Sequence, residues 1–157
     1  MSAEPRITPP TLRVMRSDDV QQVADIETST YEFPWTIGIF RDCLRVGYCC
    51  VVLEDDEILL GYAVMSVSAG EAHLLNLCIR PDRLRCGLGR DMLDFMLKRA
   101  RESEAERIFL EVRESNLAAL ALYNASGFKA IGLRRNYYRA HEGREDAIVL
   151  SLSLKQP

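Results

Sequence analysis

Apolar positions recur along this chain in two rhythms, one with the period of a helix and one with that of a strand. From Thr11, Leu-Arg-Val-Met forms a short strand-like run, and the next segment carries Val20, Val23, Ala24 and Ile26 on one side at helical spacing. Ser17 and Asp18 are the expected N-cap oxygens of that helix. Pro34 interrupts TYEFPW, and a second short helix is expected beyond it, with Thr36 as its cap. YCCVVL (48–53) and ILLGYAVMSV (58–67) are apolar and β-branched and flank the acidic turn EDDE, which predicts an antiparallel hairpin. AHLLNLCI (72–79) predicts another strand.

Pro81 and the glycines of LRCGLGR (84–90) separate that strand from the clearest helical stripe, Leu88, Met92, Leu93, Met96, Leu97 and Ala100. IFLEV (108–112) reads as a buried strand. Asn116 then caps a helix through Leu117, Leu120, Ala121 and Ala125, which Gly127 ends in the left-handed conformation. FKAIGL follows as a strand, and the Leu/Ser alternation of EDAIVLSLSL (145–154) marks a half-buried one. The order β-α-α-β-β-β-α-β-α-β-β, without repeats, predicts one α/β domain of the α+β type over residues 11–157: a mixed, mostly antiparallel sheet flanked by helices. Residues 1–10, rich in proline, are expected to form a flexible tail.

At 157 residues the chain is long enough for one domain with a sizeable core and too short for two, and a net charge of −3 argues against direct nucleic-acid binding through bulk phosphate attraction. Cys43, Cys49, Cys50, Cys78 and Cys86 form no C-x-x-C pair, and His73 and His141 are the only histidines, so no metal site is expected. The odd thiol count, the absence of a secretion-signal core in MSAEPRITPP and the lack of an apolar run of roughly 20 residues lead us to expect a cytoplasmic protein with no membrane partner.

The candidate chemistry starts at the glycine loop. Gly87 and Gly89 allow close approach and positive φ, the first amides of the following helix lack intrahelical partners, and Arg85 and Arg90 add charge. A phosphate or pyrophosphate suits such a site. The spacing is not that of a P-loop, because no Lys-Ser or Lys-Thr follows; nor is it a dinucleotide fingerprint, because Met92 stands where a third glycine is required. From the loop alone, a plain turn into a helix remains open.

NLCIRPDRLRCGLGRDML resembles the acetyl-CoA-binding segment of the GNAT superfamily of N-acetyltransferases, with Arg85, Gly87 and Gly89 at its fixed positions. The resemblance implies a GNAT-like domain using acetyl-CoA and no metal. Amides of Arg85, Cys86, Gly87, Leu88, Gly89 and Arg90 would hold the pyrophosphate, Leu77, Cys78 and Ile79 would offer backbone groups to the pantetheine arm, and Asn116 would contact CoA. FPW (33–35), LEVRESNLAALALYNASGF (110–128) and RRNYY followed by GREDAIVL (134–150) resemble the bacterial RimI family, which acetylates the N-terminal alanine of small-subunit ribosomal protein eighteen. The partner so implied is a ribosomal protein N-terminus. Leu84 and Cys86 depart from the glutamines that relatives often carry, without removing a backbone N–H.

Acetyl transfer to an amine requires removal of a proton from the nucleophile and a proton for the leaving thiolate. Glu111 is a carboxylate on an otherwise apolar strand, suited by type to accept the amine proton, with an edge position facing solvent as the lesser alternative. Tyr123 by itself is an ordinary core aromatic; the resemblance implies that Glu111 is the base and Tyr123 the acid. Tyr31, Phe33, Trp35, Tyr137 and Tyr138 are candidates for a peptide groove, and the acidic Glu32 and Asp42 for meeting a basic tail. Acetylation of lysine side chains or a small amine, and a non-catalytic acyl-CoA-binding module, are the alternatives.

Overall fold

The computed structural model describes residues 9–83 and 87–155. The expected tail lies, as far as Thr8, outside the described residues, and so do Leu84, Arg85 and Cys86 of the glycine loop. The elements are β1 (Thr11–Val14), α1 (Val20–Thr30), α2 (Ile37–Arg45), β2 (Cys49–Asp55), β3 (Ile58–Ser68), β4 (Glu71–Ile79), α3 (Leu88–Glu102), β5 (Arg107–Arg113), α4 (Leu117–Ala125), β6 (Lys129–Arg139) and β7 (Arg144–Ser153), in the predicted order. Short 3₁₀ turns at Ser17–Asp19 and Pro81–Arg83 complete them.

The seven strands form one sheet in the order β1-β2-β3-β4-β5-β7-β6. Every pairing is antiparallel except β4 with β5. The run in β2 is apolar without interruption because both of its faces are covered. Val51 and Leu53 point into a core shared with Met92, Leu93 and Met96 of α3, while Cys50 and Val52 point into a second core with Val20 and Val23 of α1 and Phe40 of α2.

The caps follow the sequence in two of three cases. Thr36 Oγ1 accepts the Ile39 N–H at 3.3 Å, and Asn116 Oδ1 accepts the Ala119 N–H at 3.1 Å. Before α1, however, neither Ser17 nor Asp18 is the cap. The chain makes a 3₁₀ turn in which the Asp19 carboxylate accepts the Arg16 N–H at 2.7 Å while paired with Arg13 at 2.8 Å. A carboxylate that satisfies a backbone amide and a guanidinium together outcompetes a lone hydroxyl. Thr36→Ala is expected to cost about 1 kcal/mol, lowering Tm by roughly 2–4 °C in a thermal melt.

Two features of β4 open the sheet. Val64 faces Asn76 and Met65 faces Leu74, so Leu75 is an extra residue, a β-bulge that bends the strand. Beside it, β4 pairs with β5 only from Glu71↔Arg107 to His73↔Phe109, although both strands run on to Ile79 and Arg113. Beyond that point the parallel strands diverge, and the edge of β4 has no strand alongside. The antiparallel β5–β7 ladder continues through Arg113↔Ala147, so the opening is confined to one side of β5.

Candidate functional site

The divergence of β4 and β5 holds a cavity of about 640 Å³, within the range of small-molecule sites. Leu74–Leu77 line one wall and Leu110–Arg113 the other. The loop after α1 and the turn between β6 and β7 stand at its mouth, and α4 brings Asn116, Ala119 and Tyr123 to it.

Glu111 is the carboxylate of this cavity. Its side chain is 6% exposed, which removes the solvent-facing alternative. His73 Nε2 lies 2.5 Å from Glu111 Oε2. An ionised carboxylate only accepts, so the imidazole donates. Oε1 is buried without a hydrogen bond, with Arg134 Nη2 at ion-pair distance, 3.5 Å. Burial pushes the Glu111 pKa up, but the hydrogen bond and charge of His73 and the charge of Arg134 outweigh it, holding the group below the ordinary carboxylate range. The group is therefore an ionised acceptor with one unsatisfied oxygen.

Tyr123 is buried, its ring 5.5 Å from that of Phe128, and it also lines the cavity. Core packing and site location thus coincide. Burial, with a smaller contribution from Tyr138, raises its phenol pKa, so the O–H stays protonated. Asn116 likewise caps α4 and lines the cavity.

Of the expected groove residues, Tyr31, Phe33, Trp35 and Tyr138 line the cavity. Tyr137 does not: it is exposed, with the Arg134 guanidinium 5.5 Å from its ring, and it packs edge-on against Tyr138 with ring centroids 4.8 Å apart, where β6 departs from regular pairing. Glu32 is at the mouth, 3.7 Å from His141, whereas Asp42 is exposed on α2 and pairs with Arg45. Of the residues expected at a cofactor, Leu77 lines the wall beside Asn116. Cys78 and Ile79 bury their side chains in the two cores, leaving only backbone to offer. Gly87 has φ +75° directly before α3, a left-handed entry that glycine adopts freely, and Leu88, Gly89 and Arg90 form the first turn. Arg90 pairs with Asp94 at 3.3 Å. The expectations for Arg85 and Cys86 lie outside the described residues.

Three side chains of the site were not singled out from the sequence. His73 reaches Glu111 through the β4–β5 pairing, stacked on Phe109 with ring centroids 4.3 Å apart. Arg113 closes the mouth between Phe33 and Tyr138. Glu27 is buried and accepts from the Trp35 N–H at 2.8 Å, the Tyr62 hydroxyl at 2.7 Å and Asn76 Nδ2 at 2.9 Å, tying the loop after α1 to β3 and β4. A signal for Glu27 existed: it falls four residues after Val23 and seven after Val20, on the buried stripe of α1.

Comparison with known proteins places this architecture. The model of the acetyltransferase (GNAT) family matches residues 20–128. The chain is 34% identical over 144 residues to the ribosomal protein bS18-alanine N-acetyltransferase of Escherichia coli strain K12, covering 92% of this chain and 97% of that one. The crystal structure of the ribosomal-protein-S18-alanine N-acetyltransferase from Escherichia coli superposes with a TM-score of 0.88 at 33% identity, covering 94% and 96% of the two chains. An acetyltransferase structure from Salmonella typhimurium, solved with its cofactor acetyl-CoA, shares the fold at a TM-score of 0.79 and 17% identity, with 96% of each chain covered. With the family model spanning well over half of the sequence and a full-length relative above 30% identity, the chain belongs to the acetyltransferase (GNAT) family and is an N-acetyltransferase.

Proposed function

We propose that the chain transfers the acetyl group of acetyl-CoA to the α-amine of a ribosomal protein N-terminus, the N-terminal alanine of small-subunit protein eighteen, directly within a ternary complex. The observation that carries this reading is the convergence of Glu111, Tyr123 and four aromatic groove residues on one cavity.

The cavity suits the cofactor. The edge of β4 beyond His73 has no strand beside it, so its backbone groups are available to an extended, amide-bearing chain. Gly87 turns the backbone into the fifteen-residue α3, whose first amides and dipole favour a pyrophosphate. Bound there, acetyl-CoA supplies an activated acyl thioester.

The protein's own groups supply the rest. Glu111 takes the amine proton on an ionised carboxylate oxygen, and His73 holds that carboxylate in place through Oε2. Tyr123 presents a protonated phenol to the departing sulfur. A covalent route through Cys78 is disfavoured: burial pushes its thiol up, against hydrogen bonds with Tyr62, Tyr31 and Thr30, so it stays protonated and is a poor nucleophile.

The low proton affinity of Glu111 bears on the substrate. An α-amine with a pKa of about 7.7–8.0 is partly neutral at physiological pH, whereas a lysine at about 10.4 costs on the order of 3.5 kcal/mol more to deprotonate. A carboxylate held below its ordinary range fits the former. Incubation of acetyl-CoA with an alanine-starting peptide of the ribosomal substrate, its N-terminally blocked form and a lysine-bearing peptide, read by mass, tests the reading. Acetylation of the unblocked α-amine is expected; modification of the blocked or lysine peptide alone overturns it.

A further inference from the structure

Arg113 ends β5 at the cavity mouth, opposite Ala147 of β7, and its carbonyl accepts the Asn116 N–H at 3.0 Å. Its side chain does something else. The guanidinium carbon lies 4.5 Å from the Tyr138 ring centroid and 6.0 Å from that of Phe33. Phe33 belongs to the loop after α1, and Tyr138 to the end of β6. Nη1 donates to the Arg139 carbonyl at 2.8 Å and to Glu145 Oε1 at 3.0 Å. Glu145 Oε2 in turn accepts the Ser115 N–H at 2.9 Å. One planar cation is thus fixed along its edge by hydrogen bonds to the hairpin, while two aromatic rings from remote segments meet it. Because Glu145 neutralises the charge and occupies Nη1, the group is unsuited to capture an anionic substrate.

We propose that Arg113 is a positioning residue that clamps the two walls of the peptide groove together, holding Phe33 and Tyr138 at the spacing through which the peptide N-terminus passes. The proposal rests on the peptide-acetylating reading above. Arginine suits the task because its flat surface stacks while its rim hydrogen-bonds; a lysine ammonium keeps the charge and loses the plane.

Arg113→Gln is expected to raise KM for the alanine-starting peptide about tenfold, equivalent to about 1.4 kcal/mol, with kcat at saturating peptide and acetyl-CoA affinity within about twofold of wild type. Hydrogen exchange read by mass spectrometry is expected to quicken in residues 31–36 and 137–143 together, and to stay unchanged in α3. Arg113→Lys is expected to loosen the same two segments to a smaller extent. An unchanged peptide KM, a fall in kcat alone, or loosening confined to 137–143 overturns the clamp, as does wild-type exchange in both variants. If the wild-type enzyme leaves the peptide unmodified, the functional reading fails while the exchange data still decide whether Arg113 joins the two walls.

Discussion

Glu111→Gln is expected to lower kcat/KM for peptide acetylation by about 10²–10⁴, the range over which a positioned proton acceptor contributes. Glutamine preserves the volume on β5 and can still accept the hydrogen bond from His73, so the fold is retained and the loss is chemical. The pH dependence identifies the cause. Glu111 is held below the ordinary carboxylate range, so it remains ionised throughout the interval in which an α-amine titrates. The acid limb of the wild-type profile therefore belongs to the amine, with a midpoint near 7.7–8.0. Below that point most of the amine arrives with a proton that Glu111 must remove; above it most arrives neutral. The deficit of the variant should be largest at about pH 6 and shrink towards about pH 9. A wild-type rate, or a ratio of variant to wild type that is flat across this range, removes Glu111 from the role.

Tyr123→Phe is expected to lower kcat about a hundredfold while leaving acetyl-CoA affinity and Tm close to wild type. The two parts of this expectation separate the roles that coincide at this residue. Phenylalanine fills the same volume and keeps the edge-on contact with the Phe128 ring at 5.5 Å, so a residue that only packs would leave kcat untouched. Loss of rate with packing intact isolates the phenol. Single-turnover acetyl transfer with saturating acetyl-CoA, followed by a melt of the same protein, measures both; an unchanged single-turnover rate refutes the assignment.

Much of the fold was legible in local pattern because local pattern is what α1 to α4 and β1 to β5 rest on. The stripe from Met92 to Ala100, the caps at Thr36 and Asn116, and the left-handed Gly127 each depend on neighbours within a few residues. β6 shows where this ends. FKAIGL was legible as a strand, but the strand continues to Arg139 as a sheet edge exposed along most of its length, where no alternation is imposed and Asn136 takes a positive φ. At the site, Glu111 stood out as a carboxylate on an apolar strand and Tyr123 emerged through a family motif, whereas His73 and Arg113 owe their places to partners many residues away. His73 meets Glu111 only because β4 and β5 lie parallel for three residue pairs before separating. Nothing in AHLLNLCI encodes that partner.

Leu75 reverses the phase of β4. Ahead of it the even positions, Ala72 and Leu74, enter the α3 core; after it the odd positions, Leu77 and Ile79, do so, and Asn76 and Cys78 turn towards α1. The strand therefore keeps a count as well as a composition. A substitution in β4 alters one contact, but the gain or loss of a single residue exchanges the two faces of everything downstream, setting a leucine against the Glu27 carboxylate and an amide into the apolar core. Across chains that share this opening, β4 should vary in its letters and hold its length, and an alignment gap placed between residues 73 and 79 would signal a different cavity rather than a trimmed loop.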